Sequence, residues 1–301
     1  MRKSARSVLR FLGVGVAVYH ASRLINAARR IARSLACACR NPRWCAKSFS
    51  NMPSVLRGAR FSSGPGFLPP GQFKGGVPES ADPLLSYFEA HLQGPGIWKW
   101  IHYFEIYHRH FKKFVGREVH VLEVGIYGGG SLAMWREYFG EGCRVYGVDI
   151  EEACMAYKNE RTEVFIGDQA DRSFWAEVRM AAPRIDILID DGGHTPEQQR
   201  VTLEEMLPHI RPGGVYLCED VLGDSNEFAA FAQGLAAGLN SATTPVPMPD
   251  GMDGAAFAAS GFQGAIGSVH LYPWVVVVEK RDHPCTTFVS LKHGSNWQPF
   301  L

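Results

Sequence analysis

No aspartate or glutamate occurs among the first 78 residues of this 301-residue chain. At the frequency of the whole chain about eight acids would fall there, so the gap marks a boundary. The leader carries 14 Lys or Arg, whereas residues 79–301 carry 17 basic against 30 acidic residues, and the net charge of +1 hides the contrast. The seven cysteines form no CxxC pair and no zinc spacing, which excludes a zinc-finger or disulfide-framework reading. Long apolar runs are also missing. The longest in the leader, Phe11–Tyr19, has nine residues where a membrane helix needs about 20, so no transmembrane span is expected. No GxGxxG fingerprint and no internal repeat is found. The acidic part has no basic face interleaved with aromatics, so nucleic acid is not an expected partner. What is present, 46% apolar and 12% aromatic residues, is enough to bury a core and excludes wholesale disorder.

The leader, residues 1–60, is rich in Arg, Ala and Ser, the composition of a presequence for import into a mitochondrion or plastid. Secretion is the competing reading, with Met1–Arg10 as the charged region before the short apolar run. Residues 61–80 are dense in Gly, Pro and Ser and read as a linker. The segment 81–116 reads as helices: Asp82-Pro83 caps one through about Leu92. Ile97, Ile101, Phe104, His108, Phe111 and Val115 then mark one face of a second. Tyr103, Tyr107 and the histidines of this stretch are assigned to packing or surface roles. All cysteines are read as free thiols.

From residue 117 to about 285, short apolar runs alternate with amphipathic patterns, which implies a doubly wound α/β fold with a mostly parallel sheet. Asp171 and Thr195-Pro196 have the chemistry of helix starts, and Pro212-Gly213-Gly214 that of a helix end. The Gly/Ala/Pro-rich stretch 241–268 is expected to be a mobile loop or substrate lid, and 286–301 a tail.

Ligands of such folds bind at the carboxyl ends of strands. Glu123-Val-Gly125-Ile-Tyr-Gly128-Gly129-Gly130-Ser131 follows the first strand, and its glycines allow close approach of backbone to a ligand. Asp149 ends the second strand, and an acid there is typical of ribose binding. Asp168-Gln169 follows the third. The fourth run ends in Asp190-Asp191-Gly192-Gly193-His194 and the fifth in Glu219-Asp220. If those two strands are neighbours, four carboxylates and an imidazole share one edge, which is costly without a cation. Oxygen donors suit Mg²⁺ or another hard divalent ion.

These motifs together resemble class I S-adenosylmethionine-dependent methyltransferases, with a predicted seven-stranded Rossmann-like sheet. The narrower likeness is to the metal-dependent macrolide and rhamnosyl O-methyltransferases and the cephalosporin-hydroxylase-like group, over about residues 95–280. The resemblance implies that Glu123, Gly125, Gly129, Ser131, Asp149, Asp168, Gln169 and Asp190 contact S-adenosylmethionine. It further implies that Asp191, Glu219 and Asp220 hold the metal, and that His194, with Asp191, does the chemistry on a hydroxyl of a small polar, sugar-like acceptor. DDGGH stands here where the group has DDGSH. Three other readings stay open: an NAD-type oxidoreductase, disfavoured by the missing fingerprint; a catechol-type methyltransferase; and a non-catalytic binding protein on the same fold. Acceptor identity and oligomeric state are not legible.

Overall fold

The computed structural model describes residues 42–62, 82–223, 226–248 and 252–294; the leader over 1–41, most of the linker and the tail over 295–301 lie outside the described residues. The chain divides into two units, residues 1–77 and 78–301. The described part of the first is a helix, α1 (Pro42–Ser62). Among the described residues no helix is long and apolar enough to cross a membrane.

In the second unit α2 (Pro83–Ala90) starts where its cap demands. Asp82 Oδ1 accepts the backbone N–H of Leu84 at 2.9 Å, and Pro83 fills the first helical position, where no N–H is missed. Helix α3 (Ile101–Phe111) begins four residues later than the periodicity suggested, because residues 97–100 are extended. Its face is also turned. Ile101 and Val115 are exposed, whereas Tyr103, Phe104, Tyr107 and Phe111 are buried; the two tyrosine rings remove more apolar surface from water than the aliphatic pair would.

The chain then runs through β1 (Val119–Val124), α4 (Gly130–Phe139), β2 (Cys143–Asp149), β3 (Thr162–Ile166), α5 (Arg172–Ala181), β4 (Ile185–Asp190), α6 (Pro196–Met206) and β5 (Ile210–Cys218). After these come α7 (Glu227–Leu239), β6 (Pro245–Val246), β7 (Gly254–Ala258), α8 (Gly261–Ala265), β8 (Ile266–Tyr272), β9 (Val275–Lys280) and β10 (Thr287–Leu291). Seven strands form one sheet in the order β3-β2-β1-β4-β5-β9-β8. β1 to β5 are parallel to one another, while β9 runs antiparallel to both β5 and β8. The doubly wound, mostly parallel sheet is therefore present.

Because side chains alternate across a strand, each continuous apolar run feeds two cores. Val119, Val121, Ile187, Ile189, Val215 and Leu217 pack on the face covered by α3 and α4. Leu122, Val124, Leu188, Tyr216 and Cys218 pack on the other, with Trp175 of α5, Met206 of α6 and Phe228 of α7. Asp171 and Thr195 cap α5 and α6, the latter through a full capping box with Gln198. Cys143, Cys154, Cys218 and Cys285 are free.

Two expectations change. Pro212-Gly213-Gly214 does not end a helix: α6 stops at Met206, and the three residues lie inside β5, where Gly213 has φ +79° and donates its N–H to Arg281 O at 2.9 Å. The stretch 241–268 is not simply a loop. It contains β6, β7, α8 and the start of β8, and β7 pairs with β10 from the expected tail to make a second, three-stranded sheet. Small residues such as those of Gly254–Ala258 give little strand signal alone, and the pairing spans about thirty residues.

Leu217 is fully buried between neighbouring strands. Leu217→Ala is expected to lower the unfolding free energy by about 2–5 kcal/mol. Leu92→Ala, at a site 85% exposed, should change it by less than about 0.5 kcal/mol. Urea denaturation of both variants checks the contrast.

Candidate active site

The register of the sheet assembles the site. Val124, Asp190 and Cys218 are paired across β1, β4 and β5, so the residues that follow them, Gly125, Asp191 and Glu219, leave the sheet along one edge. Gly125 has φ +81°, and a Cβ on it would lie 2.0 Å from the carbonyl oxygen of Asp191. The two loops touch through backbone, which only glycine permits. Beyond this edge lies a cavity of about 580 Å³, lined by Gly125, Tyr127, Ser131, Asp149, Asp168, Gln169, Asp191, His194, Glu219 and Asp220 and, from the N-terminal segment, Trp98, Lys99 and Trp100. That size suits a cofactor-sized ligand.

At its floor Lys99 Nζ lies 2.6 Å from Asp191 Oδ2, 3.0 and 3.1 Å from the two oxygens of Glu219, and 3.5 Å from Glu123 Oε1. Burial by itself would discharge this ammonium. The carboxylates of Asp191, Glu219 and Glu123 outweigh burial and hold its pKa well above the ordinary value. Burial, reinforced by the charge of Asp191, pushes the Glu219 carboxyl well up. One ammonium thus faces three acidic side chains, and burial raises the pKa of Glu123 as well.

The group best suited to a cation sits beside this pair. Carboxylate oxygens of Asp191 and Asp220 and a ring nitrogen of His194 all lie within 4.8 Å of one another. Asp220 Oδ1 accepts hydrogen bonds from Tyr103 Oη at 2.7 Å and Trp100 Nε1 at 3.0 Å. Its Oδ2 is 3.7 Å from His194 Nε2. Among the described residues four that are not glycine have positive φ: Tyr127, His194, Asp220 and Trp274. The first three line the cavity, and the Trp274 ring lies 4.8 Å from that of Trp100. Each such conformation costs about 1–3 kcal/mol. Their concentration around one cavity marks a place where geometry is held for use.

The residues singled out from the sequence separate into three groups. Gly125, Ser131, Asp149, Asp168, Asp191, His194 and Asp220 line the cavity as expected. Asp149 spans two loops, accepting the N–H of Tyr127 and of Glu151 at 3.0 Å each. Gln169 also lines it, but its carboxamide is spent on Gly193 N, Asp190 and Thr202. Glu123, Gly129 and Asp190 stand off the cavity. Glu123 is buried and accepts from Ser131 Oγ at 2.7 Å, and Gly129 caps α4 against the Tyr157 ring. Asp190 is buried between Gln169 and Tyr216; burial pushes its pKa to about 6 against those hydrogen bonds. Glu219, expected with Asp191 and Asp220 around the metal, instead has both oxygens engaged by Lys99.

Lys99, Trp100 and Tyr103 were not found from the sequence as site residues. Their signal was present but weak: a lone lysine between two tryptophans in Ile97-Trp98-Lys99-Trp100, directly after a Gly-Pro-Gly break. Reading that segment as helix concealed it.

Comparison with known proteins agrees with this geometry. Residues 122–221 match the family Methyltransf_24, described as a methyltransferase domain. Demethylmacrocin O-methyltransferase of Streptomyces fradiae is 39% identical over 150 residues, 47% of this chain and 37% of that protein. The 8-demethyl-8-alpha-L-rhamnosyl tetracenomycin-C 2'-O-methyltransferase of Streptomyces olivaceus is 33% identical over 204 residues, 61% of this chain and 52% of that one. The chain thus spans about half or less of the length of these curated relatives. The solved structure of MycE methyltransferase in complex with Mg, SAH and mycinamycin VI superposes with a TM-score of 0.54 at 27% identity, covering 67% of this chain and 54% of that one.

Lys99→Met would leave three carboxylates in one buried cluster without their counter-charge. It is expected to destabilise the fold by about 3–5 kcal/mol, whereas Lys112→Met on the exposed surface should change stability by less than about 0.5 kcal/mol, both read from denaturant unfolding.

Proposed function

We propose that this chain, whose residues 122–221 match a methyltransferase domain, is a class I, S-adenosylmethionine-dependent enzyme that transfers the cofactor's methyl group to a hydroxyl of a small, sugar-like acceptor with the help of a hard divalent cation, Mg²⁺ for choice. One observation carries the reading: Asp191, His194 and Asp220 form a single group on the wall of the same cavity that Gly125, Asp149 and Asp168 line. Donor and acceptor chemistry therefore share one enclosed space. The Streptomyces olivaceus relative is named for O-methylation of a rhamnosyl tetracenomycin, and the MycE complex holds Mg and SAH.

The glycine loop at Gly125 offers backbone to the cofactor, and Asp149 offers carboxylate lone pairs to ribose hydroxyls. Asp168, exposed at the next strand end, flanks the base. Asp191 and Asp220, with His194 beside them, have the oxygen-rich donor set that Mg²⁺ prefers, and they are the residues that would hold it. A cation bound there supplies Lewis acidity to a hydroxyl that is otherwise a poor nucleophile, and a template for its orientation. The protein's own residues do the rest. The His194 imidazole takes the hydroxyl proton, and Asp220 Oδ2, 3.7 Å away, stabilises the resulting imidazolium. Tyr103 and Trp100 fix the other oxygen of Asp220 so that this pairing is not lost to rotation. Lys99 holds Asp191 in the same way and keeps the neighbouring acids from repelling one another.

The Trp100 ring supports a sugar acceptor: it lines the cavity and donates to Asp220, and such an aromatic body would accept the apolar C–H face of a pyranose while its hydroxyls reach the carboxylates.

His194→Ala is expected to lower kcat by about 10²–10⁴-fold with the Kd for S-adenosylhomocysteine unchanged within about twofold. Chelation by EDTA should abolish transfer to a rhamnosyl or deoxysugar acceptor, and added Mg²⁺ restore it, with the methylated product followed by mass. Undiminished turnover in EDTA would remove the metal from the reaction, and undiminished turnover of His194→Ala would remove the base.

A further inference from the structure

A second cluster of ligating side chains lies away from the strand ends that carry the methyl-transfer site. Ser268, His270 and Tyr272 alternate along β8 and so share one face of this edge strand. Glu279 of β9 is paired with Ser268, which brings its carboxylate to the same face. His110, near the end of α3, comes down on them. His110 Nδ1 is 3.0 Å from Glu279 Oε1, His270 Nε2 is 3.5 Å from Glu279 Oε2, and the two imidazole rings are 4.7 Å apart. One nitrogen from each histidine and one oxygen of Glu279 lie within 4.8 Å of one another.

We propose that His110, His270 and Glu279 form a binding site for a borderline transition-metal ion, Zn²⁺ before others, distinct from the Mg²⁺ chemistry proposed at Asp191 and Asp220. Two imidazoles and one carboxylate are a donor set that Zn²⁺ favours and Mg²⁺ does not. The surrounding groups are placed as such a site requires. A ligating histidine needs its second nitrogen held, and His110 Nε2 is 2.9 Å from Tyr272 Oη. The carboxylate needs a partner that fixes its rotation, and Ser268 Oγ donates to Glu279 Oε2 at 3.1 Å; the same hydroxyl accepts from His270 Nε2 at 2.9 Å, a bond that nitrogen would give up on binding an ion. His110 is buried, whereas His270 and Glu279 are partly open, so an ion has a route in. Lys113 Nζ lies 3.9 Å from Glu279 Oε1 and over the Phe114 ring at 5.2 Å, on a side chain that is half-exposed. The bound ion would tie α3 to the β8–β9 hairpin. These elements also carry Tyr103 and, at the hairpin turn, Trp274.

The test uses the full chain freed of metal by a chelator, titrated with Zn²⁺ by calorimetry and with Co²⁺ by visible absorption. The expected result is a Zn²⁺ binding event weakened more than about 100-fold by His270→Ala and again by Glu279→Gln, and about 10–100-fold by Tyr272→Phe. His194→Ala and Asp191→Asn should leave it intact, and circular dichroism should show each variant folded. His270 and Glu279 lie on partly exposed strand positions, so the fold does not depend on them as it does on His110. Zn²⁺ binding that is unchanged in both His270→Ala and Glu279→Gln, or that is lost in His194→Ala instead, overturns the proposal, as does the absence of any binding event.

Discussion

Charge compensation by one buried lysine underlies the architecture of the strand-end edge. Asp191 and Glu219, which follow β4 and β5, and Glu123 inside the adjacent β1 all converge on the ammonium of Lys99. Without it the Coulomb repulsion of closely packed carboxylates in a poorly solvated place would amount to several kcal/mol. The same interaction divides labour among the acids: Glu219 is committed to Lys99, whereas Asp191 shares itself between Lys99 and the Asp220–His194 side.

Backbone conformation reinforces that division. Asp220 and His194 each adopt a positive φ, uncommon for any residue with a side chain, and the Asp220 carboxylate is tied in place by Tyr103 and Trp100. A fold retains such strain only where surrounding contacts outweigh it. Here the contacts come from α3 and the residues before it, which pack against the sheet through Tyr103, Phe104, Tyr107 and Phe111.

Much of this was written locally in the chain. The apolar runs of β1, β4 and β5, the caps at Asp82, Asp171 and Thr195, and the acids and glycines after each strand are short-range signals, and they place the fold and most cavity-lining residues correctly. What escaped was long-range. Lys99 gains its meaning only from Asp191 and Glu219, some ninety to one hundred and twenty residues away. A lone lysine beside tryptophans has no such meaning in isolation. Glu123 and Asp190 are acids at the expected strand ends, but alternation turns them into the two opposite faces of the sheet, where both are buried off the cavity. Pairing of β7 with β10 depends on chain closure over some thirty residues, and the Gly-Ala-rich β7 is not strongly β-forming. The Gly213 conformation likewise follows from its contact with Arg281, a partner far along the sequence.

The hydrogen bond from Tyr103 to Asp220 has a further consequence. It joins the strand-end edge to a helix that precedes β1 in the chain. Any rocking of that helix against the sheet would be transmitted through the tyrosine to the carboxylate, so the helix acts as a lever on the cavity wall.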